Sequence, residues 1–163
     1  MMLKRHLRNS CLSLSGSLLI CLVLSATVFS QDETRTIRGP VTITSEMLTA
    51  DNQARTAFFE GSVVARTSDV TIYSDKMLVS YDKNTGNVMR IDATGRVRFV
   101  KEDRVVTSHE ATYQADGEKL VFTGEPRAVE GENVVSGRRM TYLLSEDRFL
   151  VEDSKVFLNK KDQ

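Results

Sequence analysis

Residues 70–99 read VTIYSDKMLVSYDKNTGNVMRIDATGRVRF, and this stretch carries the pattern that decides the fold. Apolar and polar residues alternate over residues 70–81, a polar break with glycine follows at residues 82–86, and alternation resumes over residues 88–99. Alternation places neighbouring side chains on opposite faces of an extended strand, and short polar segments with glycine connect such strands as hairpins. The stretch therefore predicts antiparallel strands with one apolar face and one wet face.

The same pattern recurs four times between residues 41 and 158. A first anchor, Ser or Gly, has spacings of 29, 34 and 29 residues and falls at Ser45, Ser74, Ser108 and Gly137. A second anchor, with Ser in place of Gly in the last copy, has spacings of 34, 29 and 30 residues and falls at Gly61, Gly95, Gly124 and Ser154. A period of about 30 residues predicts a stacked all-β architecture, because one such unit cannot bury its apolar face alone.

The alternating runs amount to about sixteen strands of roughly five to eight residues, within the usual range for soluble strands. Residues 41–158 show no helical period, and Asp116-Gly117 gives the strongest hairpin signal. Because each strand has one apolar face, the sheet must fold over and cover itself. The predicted fold class is all-β and antiparallel: a sandwich, a jelly roll or a flattened barrel.

The inward-facing residues follow from parity along each strand and from position in the repeat. They are Ile43, Phe59, Val63, Ile72, Met77, Val79, Met89, Ile91, Val97, Phe99, Val106, Tyr113, Leu120, Phe122, Met140 and Tyr142. Methionine is interpreted as occupying equivalent positions in three copies, at Met47, Met77 and Met140, with Ala111 in the remaining copy. Methionine adapts to irregular or exchangeable apolar contents, so this face could be either plain core or the lining of a binding site.

Residues 1–30 have the pattern of a cleavable export signal. Lys4, Arg5 and Arg8 precede an apolar stretch at residues 12–29, and the polar Gln31 follows it. An uncleaved membrane anchor is the alternative, because the apolar stretch approaches the length that spans a bilayer. We therefore expect a signal peptide at 1–30, an N-terminal linker at 31–40, a β-domain at 41–158 and a C-terminal tail at 159–163.

Removal of the signal leaves 133 residues without cysteine, since Cys11 and Cys21 both lie within it. Packing and strand pairing, rather than disulfides, must then hold the exported domain together. Its 19 basic and 22 acidic residues give a formal charge of −3, which is not the footprint of a nucleic-acid-binding protein. One domain suits this length.

Enzymatic chemistry is not expected. The exported segment has a single histidine, His109, which we predict to lie at the surface or near a turn. Without cysteine and with one histidine, neither a nucleophile with its base nor a usual set of zinc ligands can be assembled. We therefore predict no catalytic residues, no metal and no cofactor.

Four segments carry a family resemblance: ITSEM at residues 43–47, FFEGSVV at 58–64, VTIYSDKM at 70–77 and FTG at 122–124. In their order and spacing behind an export signal, they resemble the repeated core of the LptA/OstA-like periplasmic proteins of lipopolysaccharide export. The resemblance covers residues 41–158.

This resemblance implies an antiparallel β-jellyroll of about sixteen strands, open at both ends, in which the sixteen inward-facing residues above form a groove for the acyl chains of lipopolysaccharide. It also implies a periplasmic protein whose copies associate head to tail. The implied partners are an inner-membrane-anchored homologous export subunit and the jelly-roll domain of the outer-membrane translocon. The expected function is a lipopolysaccharide-binding bridge between the two membranes.

Two alternatives remain open: a membrane-tethered homologue of the same export pathway, and a structural β-assembly module without lipid cargo. Five arginines could meet lipid phosphates at a rim, although ordinary solvated strand faces are the simpler explanation. They are Arg66, Arg90, Arg96, Arg98 and Arg104.

Overall fold

The computed structural model describes residues 41–158, which form twelve β-strands and no helix. The strands are β1 (Thr42–Thr44), β2 (Met47–Asp51), β3 (Thr56–Arg66), β4 (Thr71–Tyr81), β5 (Val88–Lys101), β6 (Arg104–Gln114), β7 (Lys119–Thr123), β8 (Arg127–Glu130), β9 (Asn133–Ser136), β10 (Arg139–Leu143), β11 (Arg148–Glu152) and β12 (Lys155–Phe157). The described segment offers no helical stretch with the length and hydropathy of a membrane span. The predicted signal peptide, linker and tail lie outside the described residues.

The strands form two layers that share β3, β4, β5 and β6. The first layer has the order β2-β3-β4-β5-β6-β7-β10-β11, and the second has the order β1-β3-β4-β5-β6-β8-β9-β12. Every pairing is antiparallel, and the layers face each other. Phe99 of the second layer packs edge-on against Phe122 and Tyr142 of the first, with ring centroids 5.6 and 5.8 Å apart. This is the predicted antiparallel β-jellyroll.

Bulges let the shared strands cross from one layer to the other. The ladder registers shift between Glu60 and Val63 on β3 and between Thr94 and Val97 on β5. On each strand two residues oppose one residue of the partner, an arrangement that bends a strand and increases its twist. The extra residues begin with the second anchor of the repeat, so these anchors mark the corners of the fold.

Glycine is required at the corners for two reasons. Gly61, Gly95 and Gly124 have φ angles of 83°, 77° and 73°, in the left-handed region that side chains disfavour. Each glycine also lies beneath the side chain that follows a first anchor: a β-carbon on Gly124 would lie 2.6 Å from Cβ of His109. Glycine therefore supplies both the backbone bend and the space for the side chain above it.

Polar pairs hold the corners together. The hydroxyl of Ser62 donates to Glu46 at 2.9 Å, and the guanidinium of Arg96 donates to Asp75 at 3.0 and 3.1 Å. At these two corners the anchors are thus the two sides of one bend: the residue after the first anchor bonds to the residue after the second.

The fourth corner differs from the sequence prediction. Ser154 was expected to replace glycine, but the positive φ of 52° lies one residue earlier, at Asp153. The ladder explains the position, because Arg139 pairs with Glu152 and the corner begins at the next residue. Asp153 accepts a hydrogen bond of 2.8 Å from Nε of Arg138. Aspartate tolerates the left-handed conformation better than most residues, so this corner forms without glycine.

Three rows of side chains cross the interior, each with one residue from each of eight strands. The first-layer rows are Leu48-Phe59-Met77-Ala93-Ala111-Phe122-Met140-Val151 and Ala50-Ala57-Val79-Ile91-Tyr113-Leu120-Tyr142-Phe149. The second-layer row is Ile43-Ala65-Ile72-Phe99-Val106-Ala128-Val135-Val156. Directly opposed residues share a face, so each row is a continuous apolar stripe.

The number of strands depends on whether a strand that continues through a corner is counted once or twice. About sixteen short strands were predicted, whereas the described residues form twelve, because β3, β4, β5 and β6 continue through their corners as strands of 11 or 14 residues. Each of these four contributes one segment to each layer, which gives eight segments per layer. The predicted alternating runs correspond to these segments.

We expect Gly124→Ala to destabilise the fold more than Gly86→Ala. Gly86 has a φ of 72° with open space around it, so alanine there suffers only the backbone strain, about 1–2 kcal/mol. Alanine at position 124 adds the contact with His109, worth a further 1–3 kcal/mol or so. Urea unfolding of both variants measures the difference, and equal losses would show that the corner contact does not matter.

Candidate functional site

A cavity of about 390 Å³ lies between the two layers. Its walls are mostly apolar and include Ile72, Met77, Ile91, Phe99 and Leu120. Exposed residues of two turns, Asp69 and Ser145, also line it, so the cavity reaches solvent at this rim. Its volume lies in the range of small-molecule binding sites.

Small residues contribute to the space in the cavity. Ala93 and Ala111 are adjacent in one first-layer row, and Ala65 lies in the second-layer row; all three line the cavity. Further along the rows, Phe122 and Phe99 fill the space between the layers with aromatic rings. The three alanines therefore leave space for the cavity, and larger residues, Phe99 among them, form the rest of its walls.

The structure places fifteen of the sixteen predicted inward-facing residues against the core. Thirteen are buried, and Ile43 and Ile72 are partly buried against them. Seven of the sixteen line the cavity: Ile72, Met77, Ile91, Phe99, Tyr113, Leu120 and Tyr142. Parity along the strands identified the inner face, but it did not indicate which part of that face lines the cavity.

The predicted positions are wrong for two methionines, Met89 and Met47. Met89 is 52% exposed, because the register shifts between Ser80 and Tyr81 and brings Val88 against the core instead. Met47 is 61% exposed and pairs with Glu60, whereas Leu48 pairs with the buried Phe59. Counted from the first anchor, Leu48 is therefore the equivalent of Met77.

A polar bridge joins the layers beside the cavity. Nζ of Lys101, at the end of β5, donates to the Tyr142 hydroxyl at 2.6 Å and to Asp147 at 3.1 Å. The Tyr142 hydroxyl in turn donates to Asp147 at 2.5 Å. All three residues line the cavity, so its wall combines an apolar surface with one charged, hydrogen-bonded cluster.

Arg104 extends the bridge to a smaller cavity of about 230 Å³. Its guanidinium donates to Glu130 at 2.9 and 3.3 Å, lies 3.6 Å from Asp147, and covers the ring of Phe149 at 5.0 Å. Phe149 stacks on Tyr142 with centroids 4.3 Å apart. The smaller cavity is lined by Arg104, Asp147 and Phe149, so the bridge lies between two interior spaces.

Neither Lys101 nor Asp147 is predicted from the sequence. Lys101 lies beside a turn and Asp147 lies in one, where charged residues are usually solvated. No spacing links them, because Lys101 is at the second-layer end of β5, whereas the β10–β11 turn belongs to the first layer. Of the five arginines considered for a rim, Arg104 alone lines a cavity described here, whereas Arg96 pairs with Asp75 and Arg90 pairs with Asp92. His109 is exposed and covers Gly124, as a structural residue at a corner.

Electrostatics favour the ionised form of Asp147. The hydrogen bond from the Tyr142 hydroxyl, followed by that from Lys101, lowers the pKa of this carboxyl. Burial raises the pKa of Tyr142, and its hydrogen bond to Asp147 adds to this effect, so the phenol remains protonated and can donate. The bridge is therefore intact at neutral pH.

An antiparallel roll with an apolar cavity between its layers defines the class of protein as a β-jellyroll. The model of one protein family, described as LptA/(LptD N-terminal domain) LPS transport protein, matches residues 42–148, well over half of the sequence. The chain belongs to this family of transport proteins.

A solved structure supports the fold. The crystal structure of LptH, the LptA-homologous periplasmic component of the conserved lipopolysaccharide transport device from Pseudomonas aeruginosa, superposes with a TM-score of 0.68. The match covers 76% of this chain and 98% of LptH at 10% sequence identity, so the likeness concerns the fold. No curated protein matches the sequence.

We expect Asp147→Asn to lower the free energy of unfolding at pH 7 by roughly 0.2–1 kcal/mol, the range for exposed ion pairs. The folded-state pKa of Asp147 is depressed, so its contribution is present above the unfolded pKa near 4 and is lost as pH falls through the folded value. Urea unfolding at pH 7 and pH 3 measures this, with Asp116→Asn, in the exposed β6–β7 turn, as control. A loss that stays the same at pH 3 would contradict the assignment.

Proposed function

We propose that this protein is a periplasmic carrier that binds the acyl chains of lipopolysaccharide between its layers and passes them along a bridge of subunits between the inner and outer membranes. The observation that carries the proposal is the alanine-lined apolar cavity inside an LptA-like jellyroll. Family membership and the periplasmic location stated for LptH support the setting.

Apolar burial gives the physical reason for such a carrier. Exposing a chain of about a dozen carbons to water costs roughly 0.8 kcal/mol per methylene, or on the order of 10 kcal/mol per chain. Residues such as Ile72, Ile91 and Leu120 would replace that water, while sugars and phosphates stay in solvent at the rim near Asp69 and Ser145. No step of this transfer requires a bond to be made or broken.

The ends of the roll support head-to-tail association. Among residues 41–158, β1 and β2 pair only with β3 at one end, and β11 and β12 pair only with β10 and β9 at the other. Unpaired edges invite strand addition, and joining unlike ends produces an open chain of subunits.

The interior rows continue to both ends. Leu48 ends one row and is 55% exposed, and Val156 ends another and is 52% exposed, although both face inward. Their exposure comes from the lack of a following strand within the described residues. A second copy, or the homologous jelly-roll domains of the export pathway, would bury both residues and make the apolar stripes continuous across the junction.

A photo-crosslinking amino acid at position 72 should capture lipopolysaccharide, and one at position 73 should capture at least several-fold less. Ile72 lines the cavity, whereas the adjacent Tyr73 lies on the opposite face beneath Arg98. An aromatic crosslinking amino acid at position 73 replaces one ring with another, so it disturbs packing little. Crosslinking in cells, followed by detection of lipid on the protein, compares the two positions. Equal capture at both would exclude an internal groove, and capture at neither would favour the structural module without lipid cargo.

Val156→Lys should weaken self-association at least tenfold, because a charge would enter the apolar stripe at the junction. Met89→Lys is the matched control, since Met89 has the same 52% exposure but lies in the middle strand β5. Sedimentation velocity over a concentration series measures both variants. Equal effects of the two substitutions would argue against association through this end.

A further inference from the structure

We propose that the hydroxyl of Tyr113 is a hydrogen-bond donor for the carbonyl of an ester- or amide-linked acyl chain, so that the cavity selects acyl lipids over hydrocarbon chains without a carbonyl. This inference rests on the proposed function, since it concerns the lipid that occupies the same cavity. Tyr113 would then recognise the lipid through a hydrogen bond, which the apolar residues of the lining cannot form.

The first observation is an unsatisfied hydroxyl in an apolar wall. Tyr113 lines the cavity, is 4% exposed, and its hydroxyl has no hydrogen-bond partner among the described residues. Its neighbours across the ladder are Ile91 and Leu120, which offer no polar group, and the carboxyl of Glu118 lies nearby but makes no hydrogen bond to the hydroxyl. A buried hydroxyl without a partner is costly, so its presence in a wall that phenylalanine could fill indicates a partner from outside the chain.

The second observation is the contrast with the other tyrosine of the same row. Tyr142, two strands away, is 1% exposed, and its hydroxyl both accepts from Lys101 and donates to Asp147. The described residues therefore supply hydrogen-bond partners for the hydroxyl of Tyr142 and none for the hydroxyl of Tyr113.

The surroundings of Tyr113 indicate a neutral acceptor. Burial, followed by the nearby charge of Glu118, raises the pKa of the Tyr113 phenol, which keeps its proton at neutral pH. Glu118 is itself 7% exposed, with Oε1 unpaired among the described residues. Its carboxylate would repel a phosphate or a carboxylate at this point, whereas an ester or amide carbonyl carries no charge and accepts a hydrogen bond.

Ester- and ether-linked phosphatidylcholines with the same short chains test this directly, because they differ only in their carbonyl groups. By isothermal titration calorimetry below the micelle concentration, we expect the wild-type protein to bind the ester lipid roughly three- to tenfold more tightly, the value of one neutral hydrogen bond. In Tyr113→Phe the preference should disappear or reverse, since the carbonyl would be buried without a donor. Tyr73→Phe, on the outer face, should leave the ester preference unchanged.

Thermal unfolding provides a second measurement. Tyr113→Phe should keep or raise the Tm, because it removes an unsatisfied hydroxyl; a clearly lower Tm would show that the fold itself uses the group and would overturn the inference. If the crosslinker at position 72 captures lipopolysaccharide but the wild-type protein shows no ester preference, this inference fails and the proposed function stands. If the crosslinker captures no lipopolysaccharide and neither phosphatidylcholine binds, both fail.

Discussion

The whole arrangement depends on one local constraint: a strand must bend sharply enough to leave one layer and enter the other. On β3, on β5 and between β7 and β8, the bend is made by left-handed backbone at Gly61, Gly95 and Gly124, and a side chain from across the corner rests directly above each glycine. A side chain at these points would be strained by its backbone and would collide with its neighbour. Because every shared strand turns at its corner, the two apolar faces meet, and the interior exists only as a result of these bends.

Side-chain size then divides that interior. The rows are continuous from edge to edge. Alanines at positions 65, 93 and 111 leave space in the cavity, and Phe99, which lines the cavity, also packs edge-on against Phe122, which does not line it. The same apolar stripe is thus both core and lining, which is why a residue can stabilise the roll and face a ligand at once. The Lys101–Asp147 bridge adds one fixed polar point where the layers meet between the two interior spaces.

Much of this could be predicted from the sequence, because alternation and repeat spacing report directly on faces and corners. The all-β roll and the inner face follow from those signals, and the family follows from the resemblance of four short segments. The predicted inward position of Met89 is wrong because a register shift at the start of β5 breaks the parity. Contacts between layers could not be predicted: nothing in the order of residues links Lys101 to Asp147, or leaves Tyr113 unpaired while Tyr142 is satisfied. Such facts arise from three-dimensional packing between distant strands, which no local pattern encodes.

The match between one repeat and one corner makes the roll modular. Each copy of about 30 residues contributes two strands to each layer, and neighbouring strands lie about 4.8 Å apart, so gain or loss of one copy would change the length of the roll by roughly 10 Å. The three stripes would lengthen or shorten with it, while the outermost strands kept their identity. Duplication of a single gene segment could therefore adjust how far such a protein reaches without redesigning either of its ends.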